Sequence, residues 1–394
     1  MEQQAQSWDE RWIYRLLPAY AFAVPVSIAL AEPIGFIVIA LWLYRTIRTR
    51  DDTVFRNPLF LPIFAFTLIA LVSIPFSVRP LISLGKCHRL LLAMVVFAIG
   101  TATQRRESGV RIMVWLFALA CSLRAIYHVG YIVVSVRRGM DVFDTGNMRD
   151  PQMYLAALCF LLAAVLVGKK PDRSPATWGG IIATAAGLLL NFKRGAWLAF
   201  VLAVAAMTSA TRRWRAVLFA VALVAAIAFL PQTRNRIRML NNEFSLKMGG
   251  RYALWTKVAL PLMKEYPHGM GYAASRNEDF RRFERGIQDG LHHLHNNVLQ
   301  VRLELGWVGL VAWIWWITAT LVSAWRTHRR MTRAGDRDAW IAVGAFGALI
   351  GILANGVVEY NFGDSEILML AYLVMGVIAV LRGKSIQRGG GVPA

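Results

Sequence analysis

Acidic side chains are scarce in this chain of 394 residues: 23 Asp and Glu stand against 44 Lys and Arg, a formal net charge of +21. Charged residues of both signs reach only 17% while 57% are hydrophobic, too apolar a balance for a water-soluble domain of this length. Cysteine is rarer still. Cys87, Cys121 and Cys159 lie in or beside apolar runs, an odd number with no Cys-x-x-Cys pair. That speaks against a disulfide framework and a thiolate metal site and leaves them as packing residues. There is no His-Glu-x-x-His motif, and no repeat, heptad array or low-complexity tract is visible apart from Gly389-Gly390-Gly391. A zincin site, a solenoid and a coiled coil are not suggested either.

What the chain has instead is long apolar runs. Windows that could cross roughly 30 Å of hydrocarbon, or nearly so, fall at about 16–31, 33–44, 58–76, 88–102, 110–135, 152–168, 176–191, 194–210, 215–230, 297–325, 339–358 and 366–382. This pattern predicts an all-α polytopic membrane protein of about twelve helices. Glu32-Pro33 divides the first two windows, which are short enough to form a re-entrant pair. Arg11 and Arg15 precede an apolar stretch ending in Ala29-Leu30-Ala31, which imitates a signal-peptide cleavage site but reads as an uncleaved first span. With a cytoplasmic N-terminus every inside loop is basic, from Arg45, Arg48 and Arg50 through Arg326, Arg329 and Arg330 to Arg382. The C-terminus is then cytoplasmic too. Residues 231–296 form one long outward loop between the helices of 1–230 and those of 297–394.

Roughly half of the basic residues nevertheless fall on the outer half, too many for a topological signal. Arg79, Lys86, Arg89, Arg124, Arg137, Arg138, Arg149, Lys193 and Arg194 sit in short outer loops or near outer helix ends. Snorkelling to headgroups accounts for part of this set. A polyanion site accounts for the rest, because guanidinium forks bind phosphate oxygens bidentately and stay ionised. An outer-leaflet diphosphate lipid is the ligand class that suits such a set. Nucleic acid is not expected, since aromatic residues are not interleaved with the basic clusters and no exposed domain is available.

Three stretches concentrate the chemistry. In Asn191-Phe192-Lys193-Arg194-Gly195-Ala196-Trp197 two cations interrupt two apolar runs, beside small residues that allow close approach. Gly249-Gly250-Arg251-Tyr252-Ala253-Leu254-Trp255 has a similar character, with Tyr252 and Trp255 on one face of an amphipathic helix, where they suit interfacial packing as well as ligand contact. His292, His293 and His295 lack acidic neighbours at ligand spacing, so no metal is expected. Of the three, His295 stands apart: it immediately precedes an apolar run, Asn296 is a plausible helix cap, and Asn296, Leu299, Arg302, Leu303 and Gly306 share helical spacing. A small-residue stripe at Gly306 would pack closely while His295 faces the outer surface.

These residues resemble the O-antigen ligases of Gram-negative bacteria, whose hallmark is His, then Asn, Ser or Gln, then nine residues, then Gly-x-x-Gly, Thr or Tyr. Here His295, Asn296, Gly306 and Gly309 match it in full. The Lys193-Arg194-Gly195-Ala196-Trp197 stretch and Arg251 followed by Trp255 look like the family's two arginine motifs. The resemblance implies a GT-C-like glycosyltransferase architecture with one large periplasmic loop. It also implies transfer of a preassembled glycan from undecaprenyl diphosphate to a sugar hydroxyl of lipid A–core at the periplasmic face of the inner membrane. His295 would be the general base, with Arg194 and Arg251 the other catalytic residues. Asn296, Lys193, Arg138, Arg149, Arg79, Arg89 and Tyr252 are candidates for substrate contact, beside the surrounding membrane lipids. Surrounding cations would disfavour imidazolium at His295. No cofactor or divalent metal is expected, and a single displacement would invert the anomeric carbon. O-antigen polymerases, protein O-oligosaccharyltransferases and ligases for other surface glycans share this logic; a flippase for lipid-linked sugars would need the cations but no base. Glu359, Asp364 and Glu366 could orient an arginine or contact sugar hydroxyls, with structural ion pairing the safer reading.

Overall fold

The computed structural model describes residues 7–102, 108–141, 150–209, 214–229, 250–284 and 291–389. No β-strand occurs among the described residues. That follows from the solvent, because in hydrocarbon a helix satisfies its backbone amides within one segment. Among the described residues six helical stretches are long and apolar enough to cross a membrane: Ile28–Thr49, Pro80–Ala102, Gly109–Arg137, Asp150–Val167, Asn297–Arg333 and Ser365–Ile386. Phe60–Val72, Pro175–Leu190, Arg194–Ser209 and Ala339–Asn355 are shorter apolar helices. Trp8–Val26 and Arg215–Ala228 occupy the remaining apolar runs.

Ser365–Ile386 and Asp150–Val167 form the centre of the bundle, with 83% and 78% of their apolar windows buried, against 33% for the peripheral Ile28–Thr49. Asp150–Val167 packs along Ala339–Asn355. Glycine permits that approach: a Cβ at Gly344 would lie 2.6 Å from the ring of Phe160. Such close van der Waals contact holds helices together in lipid, where burying apolar surface gives little drive.

The first break in the chain differs from the expected one. It lies at Ser27, whose extended backbone separates Trp8–Val26 from Ile28–Thr49, and Pro33 is carried inside the second helix. A proline removes only one ladder bond, and neighbouring helices re-satisfy the freed group in membrane bundles, so proline marks breaks poorly here.

The two ends of the bundle are distinct. Ile28, Lys86, Gln152 and Ile367, all near an end of a helix, line one cavity. At the other end Arg45 pairs with Glu10 at 2.7 Å, Arg48 with Asp9 at 3.0 Å, and Arg111 with Asp338 at 2.6 Å. Of the expected loop 231–296, residues 231–249 and 285–290 lie outside the described residues. The rest forms a helical run through Arg251–Ala253, a π-helical turn at Leu254–Ala259 and Leu260–Glu265, followed by Asn277–Arg281. These close a small second core of Leu254, Val258, Leu262, Met270, Phe280, Leu294 and Leu303. Leu294 and Leu303 tie the histidine segment and the start of the long helix into it.

Candidate active site

The histidine segment is held from several sides. Asn296 caps Asn297–Arg333, its Oδ1 accepting from Leu299 N–H at 3.0 Å while its Nδ2 donates to Val357 O at 2.9 Å. Asn297 N–H donates to Gly356 O at 2.8 Å, and its Oδ1 accepts from Asn361 N–H at 2.8 Å. Successive asparagines thereby stitch the segment to the loop 356–361 that follows Ala339–Asn355. On the other side Trp255 Nε1 donates to Leu294 O at 2.7 Å. The fully buried Gln300 accepts from Leu294 N–H at 2.8 Å and donates to Ser275 Oγ at 2.8 Å and to Glu304 Oε1 at 2.7 Å. Held in this way, His295 adopts a left-handed backbone, φ 49°, which a non-glycine residue keeps only where its surroundings over-determine it.

The partner of its imidazole is an anion, where sequence reasoning expected cations. His295 Nδ1 lies 2.8 Å from Glu359 Oε2, and Glu359 Oε1 accepts from Arg251 Nη2 at 2.9 Å. Burial alone would raise the Glu359 carboxyl, but the hydrogen bond and charge of His295, and the charge of Arg251, outweigh it and hold the group below its ordinary value. An ionised carboxylate only accepts, so His295 Nδ1 carries the proton of this hydrogen bond, and Nε2 is the ring nitrogen turned away from Glu359. Imidazole, carboxylate and guanidinium thus stand in a line, an arrangement in which a carboxylate can orient an imidazole for proton transfer. His293 stacks edge-on against His295 at 4.4 Å. Burial first, then the neighbouring His295 and His292, pull its value down to about 4, so this ring is neutral.

The glycines of the motif act differently from the expected packing stripe. Gly306 interrupts the long helix with φ 67° and ψ −166°, a backbone that glycine alone adopts readily. The interruption frees Leu303 O and Glu304 O, which accept from Met270 N–H at 2.9 Å and Gly271 N–H at 2.8 Å. A Cβ at Gly306 would stand 2.6 Å from His268 O, and one at Gly269 2.6 Å from Gly306 N, so the two backbones meet where both carry a glycine. Gly309, one turn on, lies against Leu305 of the same helix. The motif therefore encodes a helix break that seats the loop 268–276 against the site.

Loop 356–361 gathers the three sequence motifs. Gly195, beside Lys193 and Arg194, is so close to this loop that a Cβ there would lie 2.8 Å from Val358. Phe192, φ 56°, makes the corner that brings it there. His295 and Arg251 reach the loop through Glu359. His295, Glu359, Arg89, His293, Tyr360 and Glu304 line a cavity of about 670 Å³, which Lys86, Arg276, Asp364 and Glu366 also face. Glu304 is fixed there by Gln300, by Ala273 N–H at 3.0 Å and by Tyr360 Oη at 3.3 Å.

Other candidates fall elsewhere. Arg79 clamps Asp279 at 2.8 and 3.0 Å and Ala274 O at 3.1 Å, off the cavity. Arg138, at the end of Gly109–Arg137, and Tyr252 are exposed and off the cavity wall. Arg149 lies outside the described residues. Sequence reasoning passed over Arg276, which carries no motif, and set Glu359 aside as an ion-pair residue. The signal for Glu359 was available: a carboxylate in a short outer loop between two apolar helices.

Residues 179–314 match the family model for O-antigen ligase. This stretch is an O-antigen ligase domain. The matched O-antigen ligase segment contains the Lys193-Arg194 corner, Arg251, His295 and both motif glycines, whereas Lys86, Arg89 and Glu359 lie beyond it. Among curated proteins none matches the chain. The matched segment and the apolar helices together describe a multi-pass membrane protein that carries an O-antigen ligase domain.

Proposed function

We propose that the chain is a glycosyltransferase that moves a preassembled O-antigen glycan from undecaprenyl diphosphate to a sugar hydroxyl of lipid A–core. The observation that carries this reading is the line Arg251–Glu359–His295, of which Glu359 and His295 line a cavity that Lys86, Arg89 and Arg276 also face. His295 Nε2 takes the proton of the acceptor hydroxyl, and the hydroxyl oxygen bonds to the anomeric carbon of the donor. The bond from that carbon to the diphosphate oxygen breaks with its electron pair on the leaving undecaprenyl diphosphate. One displacement inverts the anomeric configuration. Base catalysis of this kind contributes about 10²–10⁴-fold, and cations already in place to meet the leaving charge contribute electrostatically. Cationic side chains stand in for a divalent ion, which makes the transfer metal-independent. Arg251 acts through Glu359, and the Lys193-Arg194 corner backs the same loop.

The reading includes about twelve spans in a GT-C-like arrangement, both termini cytoplasmic, and an inner-membrane protein whose site opens to the periplasm, with 231–296 as the large periplasmic loop. Its support is that the cavity lies at the end of the bundle opposite the basic loops. A ligase is preferred to a polymerase or protein O-oligosaccharyltransferase because there is one large loop and little other soluble sequence. The prepared base argues against a flippase.

The test is transfer by purified protein from undecaprenyl-diphosphate glycan to lipid A–core, with wild type and His295→Ala, with and without EDTA. EDTA-insensitive product of inverted configuration from wild type, absent from His295→Ala while that variant still binds donor, is the expected result. Normal product from His295→Ala would remove the base assignment. Glycan chain extension without ligation would make the chain a polymerase.

A further inference from the structure

Loop 356–361 brings more to the cavity than the orienting carboxylate. Three consecutive residues of it, Glu359, Tyr360 and Asn361, line the cavity, and each lies against one further polar residue of the same wall. Glu359 holds His295 at 2.8 Å, the ring of Tyr360 lies 6.0 Å from that of His293, and Asn361 Oδ1 accepts from Gln152 Nε2 at 2.6 Å. His295, His293 and Gln152 thus form a row along one loop, of which the Arg251–Glu359–His295 line uses only the first member.

The hydrogen-bond network fixes what the third member presents. Asn361 Nδ2 lies 2.7 Å from Ile352 O, and a carbonyl only accepts, so this end of the Asn361 amide is its NH₂. Asn361 Oδ1 is then the acceptor, and the atom of Gln152 that meets it must be the donor Nε2. Turning either amide over would set like atoms against each other. What remains is Gln152 Oε1, on a residue only 3% exposed, with no hydrogen-bond partner among the described residues. His293 Nδ1, on the second member, is also buried and without a partner among them. A buried polar atom left unpaired is costly, and a ligand that brings the missing group removes the cost.

The chemistry of the two atoms selects that ligand. An amide oxygen accepts and cannot donate, so it repels phosphate oxygens and needs a hydroxyl or an N–H. His293, pulled down to about 4 by burial and by its imidazole neighbours, is a neutral ring that donates from one nitrogen and accepts at the other. Neither group is charged. A sugar carries the matching set, adjacent neutral hydroxyls that each donate and accept.

We infer that Gln152 Oε1 and His293 Nδ1 form a subsite for the acceptor sugar, where they hold the hydroxyls beside the one that His295 deprotonates. The inference rests on the glycosyl-transfer reading above and adds how the acceptor is oriented at the base. Because Glu359, Tyr360 and Asn361 follow one another in the chain, one loop sets base, ring and amide together, and the reactive hydroxyl is presented to His295 by the grip on its neighbours.

The experiment uses full-length protein in detergent with undecaprenyl-diphosphate glycan as donor. The acceptors are lipid A–core and forms of it whose accepting sugar lacks one hydroxyl other than the reactive one. Rates give KM and kcat for the acceptor, and donor binding is measured separately. With wild type, at least one deoxy acceptor should lose about 5–150-fold in kcat/KM, the range for a buried polar group left unpaired. Gln152→Met should raise the KM for lipid A–core about 2–12-fold, bind donor normally, and use that deoxy acceptor and the parent alike. His293→Phe should lose discrimination at a different hydroxyl. It breaks no hydrogen bond among the described residues, so it carries the test if Gln152→Met fails to fold. Equal use of every deoxy acceptor by wild type would overturn the inference while leaving the transfer reading intact. So would unchanged discrimination in both variants, which would leave only water on these atoms, or weakened donor binding with an unchanged acceptor KM, which would give the row to the donor glycan. No transfer by wild type to lipid A–core itself would remove the transfer reading and the inference with it.

Discussion

Replacing Glu359 by glutamine changes one atom and sets the orientation of His295 against the pairing of Arg251. The carboxylate faces two donors, His295 Nδ1–H at 2.8 Å and Arg251 Nη2–H at 2.9 Å. A glutamine head has one acceptor and one NH₂ group, so one of the two donors must meet an NH₂. Arginine has no acceptor tautomer, whereas histidine does. The amide therefore turns its oxygen to Arg251 and its NH₂ to His295, whose Nδ1 must then accept while its proton moves to Nε2. The nitrogen that should receive the acceptor's proton is now blocked. Loss of a charge-assisted hydrogen bond alone is worth about 10–150-fold, and the same carboxylate-to-amide change in a serine-protease triad lowers kcat about 10⁴-fold through the wrong tautomer. We expect kcat for glycan transfer to fall about 10²–10⁴-fold, with donor affinity within about threefold of wild type, well short of the roughly tenfold that losing a charged contact would bring. The assay is gel-resolved transfer by purified Glu359→Gln, with donor binding measured separately and thermal unfolding confirming an intact fold. A kcat within about threefold of wild type, far below the effect expected of a displaced base, would refute the orienting role and return Glu359 to a structural ion pair.

Other parts of the site give further expectations. Arg79→Ala leaves the buried Asp279 without its fork and should cost about 2–4 kcal/mol of stability, measured by thermal unfolding. Donor affinity should stay unchanged, and a loss of affinity without a loss of stability would put Arg79 back among the substrate contacts. Gly306→Ala forces a Cβ into a positive-φ backbone 2.6 Å from His268 O. It should destabilise the protein by about 3 kcal/mol or more, and a melting temperature equal to wild type would show that the helix break is dispensable. His293, at about 4 against an ordinary 6.5, takes up a proton in the unfolded chain first as pH falls. Its contribution is whole above about pH 6.5 and lost progressively as pH falls towards 4, about 2 kcal/mol of it by pH 5. Thermal unfolding between pH 7 and pH 5 should therefore show a steeper loss for wild type than for His293→Gln; parallel slopes would exclude His293 as the source.

The sequence by itself determined the solvent, the helical class and the places where chemistry would be found. Apolar runs bounded by cations locate helices because a charged residue in hydrocarbon is costly. The spacing from His295 and Asn296 to Gly306 and Gly309 marked the segment that O-antigen ligase family comparison also covers. Local patterning did less well where neighbours decide. Ser27 breaks the first helix pair although Pro33 looked the stronger signal, and Gly306 bends the long helix where spacing suggested a flat stripe. The pairing of charges was decided by tertiary structure alone. Arg79, Arg251 and Arg89 look alike in sequence, yet one clamps Asp279, one pairs with Glu359 and one donates to the backbone carbonyl of Gly363. Glu359 is 64 residues from His295 and 108 from Arg251 along the chain, so no local window contains the line they form. An ionic group acts through what lies within a few ångströms of it, and that distance is set by how the helices pack.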